Sequence, residues 1–178
     1  MRMICKLTEQ DVGLEPSPQQ SSKMRAAARA VVMNGLGQIA LLYVSTDNYY
    51  KLPGGGVEPG ESIEQALHRE VLEEAGCSIE MLGEVGMIEE LRNAWGIMQT
   101  SHCYLATVVG NCTEPSFTDQ ETMNGFELDW ASPEDALQLI HDSVPQTYLG
   151  KFVQVRDQIF LQEAMEGIKQ VSEPTDSM

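Results

Sequence analysis

The segment from Leu52 to Cys77 constrains this chain more than any other: Leu-Pro-Gly-Gly-Gly-Val-Glu-Pro-Gly-Glu-Ser-Ile-Glu-Gln-Ala-Leu-His-Arg-Glu-Val-Leu-Glu-Glu-Ala-Gly-Cys. Gly54, Gly55 and Gly56 free the backbone to approach a ligand closely, and Pro59-Gly60 makes a turn. Ser62 and Gln65 have the spacing of a capping box and Gly76 suits a helix C-terminus, so the pattern predicts a helix from Ser62 to Ala75. The segment reads as loop, helix, stop.

Within that helix Glu70, Glu73 and Glu74 are three and four residues apart and project from one side. They continue a stripe begun by Ile63 and Ala66 and flank the packing row Leu67, Val71, Ala75, which sets them beside the core. They also occupy the last turns, where the helix dipole disfavours each negative charge by about 0.3 to 1 kcal/mol, and they repel one another. A solvated face with His68 and Arg69 as local partners accounts for any single one of these acids. The set as a whole calls for a compensating cation, and ligands that are all oxygen point to a hard ion such as Mg²⁺, with Mn²⁺ as a substitute. Magnesium takes a few carboxylates together with substrate phosphates, which suits phosphate chemistry.

Charge narrows the partner. The 178 residues carry a formal charge of −16, from 11 basic and 27 acidic side chains, and no run of Lys or Arg offsets it. A large nucleic acid is therefore disfavoured, whereas a small anion escorted by a divalent cation is admissible. The 42% hydrophobic content fits one domain with a real core. No apolar run approaches the roughly 18 residues of a membrane span, and Met1-Arg-Met-Ile-Cys-Lys-Leu-Thr-Glu turns polar too soon for a signal peptide. The expectation is a cytoplasmic protein without a membrane partner, and a homodimer is left open. Cys5, Cys77, Cys103 and Cys112 are scattered without a CxxC pair, so they read as free thiols, against zinc and against a disulfide framework.

Along the chain, residues 1–23 form a polar, proline-punctuated segment expected to be partly ordered, 24–168 the domain, and 169–178 a flexible tail that frays from Glu173 to Met178. Strands are expected at Arg25 to Met33 and Gln38 to Val44, as a hairpin about Asn34-Gly35-Leu36-Gly37, and at Tyr49 to Leu52. Further strands fit Met81 to Leu91, Ile97 to Val109 and Phe126 to Trp130. Ser132-Pro133-Glu134-Asp135 opens a second helix, and a last one covers Lys151 to Met165. The pattern is α/β, a mixed sheet with helices on its faces.

The central segment resembles the Nudix box, Gly-x5-Glu-x7-Arg-Glu-U-x-Glu-Glu-x-Gly-U with U aliphatic, through Gly55, Glu61, Arg69, Glu70, Val71, Glu73, Glu74 and Gly76. Cys77 at the final aliphatic position is the one departure, and cysteine often behaves as a small buried hydrophobe. The later stretch from Phe126 to Leu137 is similar to the family fold more loosely. The resemblance implies an α/β/α sandwich and a Mg²⁺-dependent hydrolase cutting a diphosphate bond in a small nucleoside diphosphate derivative. It implies Glu70 and Glu74 as principal metal ligands, Glu73 directly or through water, and the Gly54 carbonyl beside them. Arg69 would orient a glutamate such as Glu61. Bound ions would lower the pKa of a water and a carboxylate would take its proton, either Glu70 or a later acid among Glu114, Asp119 and Glu121.

Gly55 and Gly56 are expected to face substrate, and Trp95, Tyr104 and Phe126 are aromatic candidates for stacking on a nucleobase, Trp95 first. The Ser-Gln-Pro-Trp-Pro-Phe-Pro run of the NADH type is absent, as is a proline in the Arg92 region typical of the ADP-ribose type. Trp95 stands where the dinucleoside polyphosphate type usually has tyrosine. The expected substrate is a nucleoside triphosphate, standard or oxidised, cut to the monophosphate and pyrophosphate. Alternatives are a nucleotide sugar or dinucleoside polyphosphate hydrolase, a non-catalytic Nudix-like regulator, a diphosphate isomerase on the same fold, and a purely structural domain. The complete glutamate set speaks against the non-catalytic readings, and the absence of an obvious catalytic cysteine partner speaks against the isomerase.

Overall fold

The computed structural model describes residues 1–19 and 22–172, and side chains as far as 168. The chain forms strands β1 (Met3–Leu7), β2 (Lys23–Met33), β3 (Ile39–Val44) and β4 (Tyr49–Lys51), then helix α1 (Ile63–Ala75). There follow β5 (Ser78–Arg92), β6 (Ile97–Val109), a short helix α2 (Asp119–Met123), β7 (Phe126–Ala131), α3 (Pro133–Asp142) and α4 (Tyr148–Ser172). The seven strands make one mixed sheet in the order β1-β5-β6-β2-β3-β4, with β7 on β3. β1 runs parallel to β5 and β2 parallel to β6, while β5 and β6 form a long antiparallel hairpin.

Side-chain alternation along the strands sorts the core into two layers. On β2, Ala28, Ala30 and Val32 face α1 and pack with Ala66, Leu67, Val71 and Ala75. Val31 faces the other way, with Ile39 and Leu41 of β3, against Ile140 of α3 and Phe152, Phe160 and Leu161 of α4. The result is the α/β/α sandwich implied by the resemblance. Alanines on the α1 side let the helix lie close to the sheet, which sets the depth at which its glutamates sit.

The expected hairpin between β2 and β3 shrinks to a single pair, Met33 with Ile39, because β2 spends its length on β6 and β3 pairs with β7. β1 and α2 are additional elements. β1 joins the sheet edge despite the polar segment behind it, and Glu9, 1% exposed, anchors that segment. Its carboxylate accepts from the Ser17 and Ala94 backbone N–H groups and from the Tyr148 hydroxyl. At the other end α4 continues to Ser172, beyond the expected end of the domain at 168. Residues 173–178, expected to fray, lie outside the described residues.

Candidate active site

The glycine loop is laid along β2 by backbone hydrogen bonds, Ala28 N–H to the Gly55 carbonyl (3.0 Å), Ala30 N–H to Pro53 (3.1 Å) and Val57 N–H to Ala26 (3.0 Å). Contact this close requires glycine. Gly54 has φ +132°, and a Cβ there would lie 2.1 Å from the Ala28 carbonyl oxygen; a Cβ on Gly55 would lie 2.2 Å from the Glu70 carboxylate. Helix α1 starts with the expected reciprocal box: the Ser62 hydroxyl accepts from Gln65 N–H (3.1 Å) and the Gln65 side chain from Ser62 N–H (2.8 Å). It ends at Gly76 in the left-handed conformation.

Glu70 and Glu74 are buried, 8% and 1% exposed, and each contributes a carboxylate oxygen to a cluster with Glu121 in which these atoms lie within 4.8 Å of one another. Glu74 accepts from Gly54 N–H and from the Lys51 ammonium, both at 2.6 Å. Burial pushes its carboxyl above the usual range, and Lys51 opposes the rise. Arg69 grips both oxygens of Glu61 through Nε (2.9 Å) and Nη2 (3.0 Å), and also donates to Glu70 (2.8 Å), to Glu73 (3.3 Å) and to the Gly56 carbonyl (3.1 Å). It thus ties loop to helix. Glu73 stands apart from the cluster, its side chain 39% exposed and its backbone carbonyl accepting from Ser116 N–H at 2.7 Å.

Of the three later acids only Glu121 joins the cluster among the described residues; Glu114 and Asp119 are exposed on the surface. Glu121 is placed by α2, where its Oε2 accepts from the Thr118 backbone N–H (2.8 Å) and hydroxyl (2.9 Å) in a second capping box. The Lys51 ammonium bridges Glu74 and the Gly54 carbonyl (3.3 Å), which also accepts from Arg29. Cationic nitrogens therefore stand where the resemblance places a metal. The donor set is all oxygen and partly buried, which fits a hard divalent cation.

The model of the NUDIX domain matches residues 23–149, most of the chain. The chain belongs to the Nudix family. A candidate 8-oxo-dGTP diphosphatase of Bacillus subtilis (strain 168) is 30% identical over 109 residues, covering 60% of this chain and 65% of that one. An RNA pyrophosphohydrolase of Sulfurovum sp. (strain NBC37-1) is 53% identical over 38 residues, 21% of this chain and 24% of that one. The chain thus spans less than two thirds of each of these relatives. Among solved structures, a Nudix hydrolase from Nitrosomonas europaea is 20% identical with a TM-score of 0.61, over 87% of this chain and 100% of that one. The E. coli ORF135 protein is 25% identical with a TM-score of 0.55, over 90% and 100%.

The Nudix box opens on a cleft of about 320 Å³, and the charge of its walls corrects the sequence reading. Sequence shows no Lys/Arg run, yet the fold gathers Arg25, Arg29, Lys51, Arg92 and Arg156 around this cleft, five of the chain's 11 basic residues. They come from β2, β4, β5 and α4, too far apart in the chain for a run to be seen. A larger hollow of about 600 Å³, between Arg2, Leu82, Leu105 and Glu163, brings together no comparable donor set.

The cysteines are the second correction. Cys77 and Cys112 form a disulfide, leaving Cys5 and Cys103 as free thiols. The β5/β6 hairpin explains the pairing: Ser78 is opposite Val109, so residues just outside that pair meet despite a separation of 35 in sequence. The bond fastens the loop after β6 to the end of the Nudix helix, beside hydrogen bonds from Thr113 N–H to the Gly76 carbonyl (2.8 Å) and from Ser116 N–H to Glu73 (2.7 Å). That loop leads to Glu121. Reduction by a dithiol, or Cys112→Ser, is expected to cost about 2 to 3 kcal/mol of stability and to lower turnover by loosening Glu121. Melting curves and kinetics with and without reductant, using Cys112→Ser as the reductant-insensitive control, check this; identical curves would sink it.

Trp95 sits in the turn between β5 and β6, 48% exposed, with its ring 4.8 Å from that of Tyr148. It is not among the residues lining the cleft, nor is Tyr104; Phe126 is.

Proposed function

We propose that this protein is a divalent-metal-dependent hydrolase that cuts a nucleoside triphosphate, standard or oxidised, between the α and β phosphorus atoms, giving the monophosphate and pyrophosphate. The observation that carries the reading is the convergence of Glu70, Glu74 and Glu121 against a glycine loop, in a cleft whose other wall is cationic. Glu70, Glu74 and Glu121 would hold Mg²⁺ or Mn²⁺, with the Gly54 carbonyl beside them. When bound, such an ion neutralises the diphosphate and makes a coordinated water acidic enough to attack phosphorus.

Glu121 is the proposed proton acceptor. Glu70 and Glu121 each keep one oxygen free among the described contacts, but Glu70 is ion-paired with Arg69, whereas Glu121 accepts only from the neutral Thr118 N–H and hydroxyl. Arg69 acts as a positioning residue that keeps Glu70 and the loop in register. Glu73 acts indirectly, through Arg69 and through the loop that docks on its carbonyl. Gly55 and Gly56 bring backbone to the phosphates, and of the three aromatic candidates Phe126 is the one that lines the cleft. A small nucleotide is preferred to RNA because the surface outside the cleft is strongly acidic.

Hydrolysis in ¹⁸O-labelled water with mass spectrometry of the products is the test. Label in the monophosphate supports attack at the α phosphorus; orthophosphate as first product, or faster cleavage of a nucleotide sugar or of triphosphorylated RNA in competition, would replace the substrate. Mg²⁺ or Mn²⁺ is also expected to raise the melting temperature and chelator to abolish turnover, since the ion relieves the carboxylate cluster. Chelator-resistant hydrolysis without any divalent-ion effect on melting would overturn the metal.

A further inference from the structure

Resting on the metal reading above, we infer that Lys51 is a tethered competitor of the divalent cation: its ammonium holds oxygens that would receive the ion, and it has to leave before the ion can bind. Three observations carry this. The first is the choice of acceptors. The Lys51 ammonium donates to Glu74 Oε1 (2.6 Å) and to the Gly54 carbonyl (3.3 Å), and both groups belong to the ligand set that the resemblance implies. The second Glu74 oxygen accepts from Gly54 N–H (2.6 Å), so an ion approaching this carboxylate meets the ammonium on one side and a backbone bond on the other. Lys51 and Glu74 are both buried, where solvent screens charge little, and two cations against one oxygen repel.

The second observation is which cation can yield. Arg69 also pairs with an acid of the cluster, Glu70, but it is fastened at the same time to Glu61, to Glu73 and to the Gly56 carbonyl. Lys51 has Glu74 as its one carboxylate among the described ion pairs. Its charge is a compact ammonium on a flexible four-carbon stem. The backbone around it is held: Lys51 pairs in register with Leu42 of β3, and Leu52 N–H donates to Asp157 of α4 (2.9 Å). The ammonium can therefore swing without moving the strand that leads into the glycine loop. Phe126 offers the displaced charge a resting face, since its ring centroid lies 5.0 Å from Nζ.

The third is burial. Among the lysines whose side chains are described, Lys51 alone is buried. Taking an ammonium out of water is costly, and an apolar side chain at the end of β4 would avoid that cost. What the lysine adds is a counter-charge for Glu74 that lasts until the ion arrives. Competition of this kind lowers the apparent affinity for the ion by the fraction of molecules in which the ammonium has moved away. The site then fills only at ion concentrations above those its ligands alone would set.

The test is titration of the full chain with Mn²⁺ alone, followed by calorimetry and by melting, for wild type and Lys51→Met. Lys6→Met, which removes the same charge from an exposed pair with Glu89, is the control. Lys51→Met is expected to bind Mn²⁺ roughly tenfold or more tightly than wild type, and Lys6→Met to bind it as wild type does. Without the ion Lys51→Met should melt below wild type, and Mn²⁺ should raise its melting temperature by more than it raises that of wild type. Reductive methylation read by mass spectrometry gives a second measurement, on wild type itself, that does not depend on the folding of Lys51→Met. Mn²⁺ should speed labelling of Lys51 severalfold and leave Lys6 unchanged. Equal or weaker Mn²⁺ binding by Lys51→Met, or labelling of Lys51 that Mn²⁺ leaves unchanged or slows, overturns the competitor and leaves the metal reading standing. Absence of Mn²⁺ binding by wild type and Lys51→Met alike overturns the metal reading and this inference with it.

Discussion

Glu70→Gln and Glu74→Gln are each expected to cut turnover at least about a hundredfold, because each removes a charge from the cluster that gathers the cation and no core volume. The two variants are expected to part in their stability. Glu74 is the sole carboxylate on the buried Lys51 ammonium among the described ion pairs, so its neutralisation leaves that charge uncompensated in the metal-free protein. Glutamine keeps an oxygen for Gly54 N–H, which limits but does not remove the loss. Glu70 pairs with Arg69, which has Glu61 and Glu73 as well. Glu74→Gln should therefore melt several degrees below Glu70→Gln without Mg²⁺, with circular dichroism of a folded protein for both. Measured kcat and melting temperatures decide it: near-normal kcat in both variants would remove these residues from the mechanism. Equal melting would instead show that Lys51 is stable without its partner.

What was legible in the sequence was local. The capping box of Ser62 and Gln65 and the stop at Gly76 lie at the ends of α1, where helical spacing fixes who meets whom, and the grip of Arg69 on Glu61 was implied by the resemblance. Alternation and turn residues placed six strands, Ile97 to Val109 without change, while β5 begins at Ser78 rather than Met81 and β2 at Lys23 rather than Arg25. What escaped depends on pairing between distant segments. The disulfide follows from the register of β5 on β6, which no spacing rule gives. The cationic wall needs β2, β4, β5 and α4 at one end of the sheet, and a net charge of −16 hid it by averaging over the surface. Glu121 was one of three equal acids until the loop after β6 was seen fastened to the helix, which turns one of them inward. Trp95 packs on Tyr148 outside the cleft lining, since an aromatic in a turn packs as readily on a neighbouring tyrosine as on a base.

Removing the charge at the centre of the buried network is expected to have the largest effect on stability. Glu90 is fully buried and accepts from Arg92 (2.7 Å), Gln99 (3.0 Å), Ser101 (3.2 Å) and Arg156 (3.3 Å). Glu90→Gln leaves Arg92 without an ion pair and Arg156 with Asp157 alone among the described residues, and breaking a buried pair in this way costs about 3 to 5 kcal/mol. For a domain of this size that lowers the melting temperature by roughly 10 °C. The same network gives a pH signature. Burial alone would raise the Glu90 carboxyl, but Arg156 and Arg92 override it and hold the group at about 2, against an ordinary 4.5. A carboxyl depressed in the folded state stabilises it fully above the unfolded value and loses that contribution as pH falls through the folded one. Wild type should therefore lose on the order of 3 kcal/mol from this group between about pH 4.5 and pH 2, and Glu90→Gln should lack that part of the slope. Urea titrations at pH 7, 4 and 3 compare them: the gap between the two proteins should be widest at pH 7 and narrow toward acid. A gap that stays constant with pH would mean that Glu90 works through shape and hydrogen bonding alone, and that the cations lining the cleft are held in place without its charge.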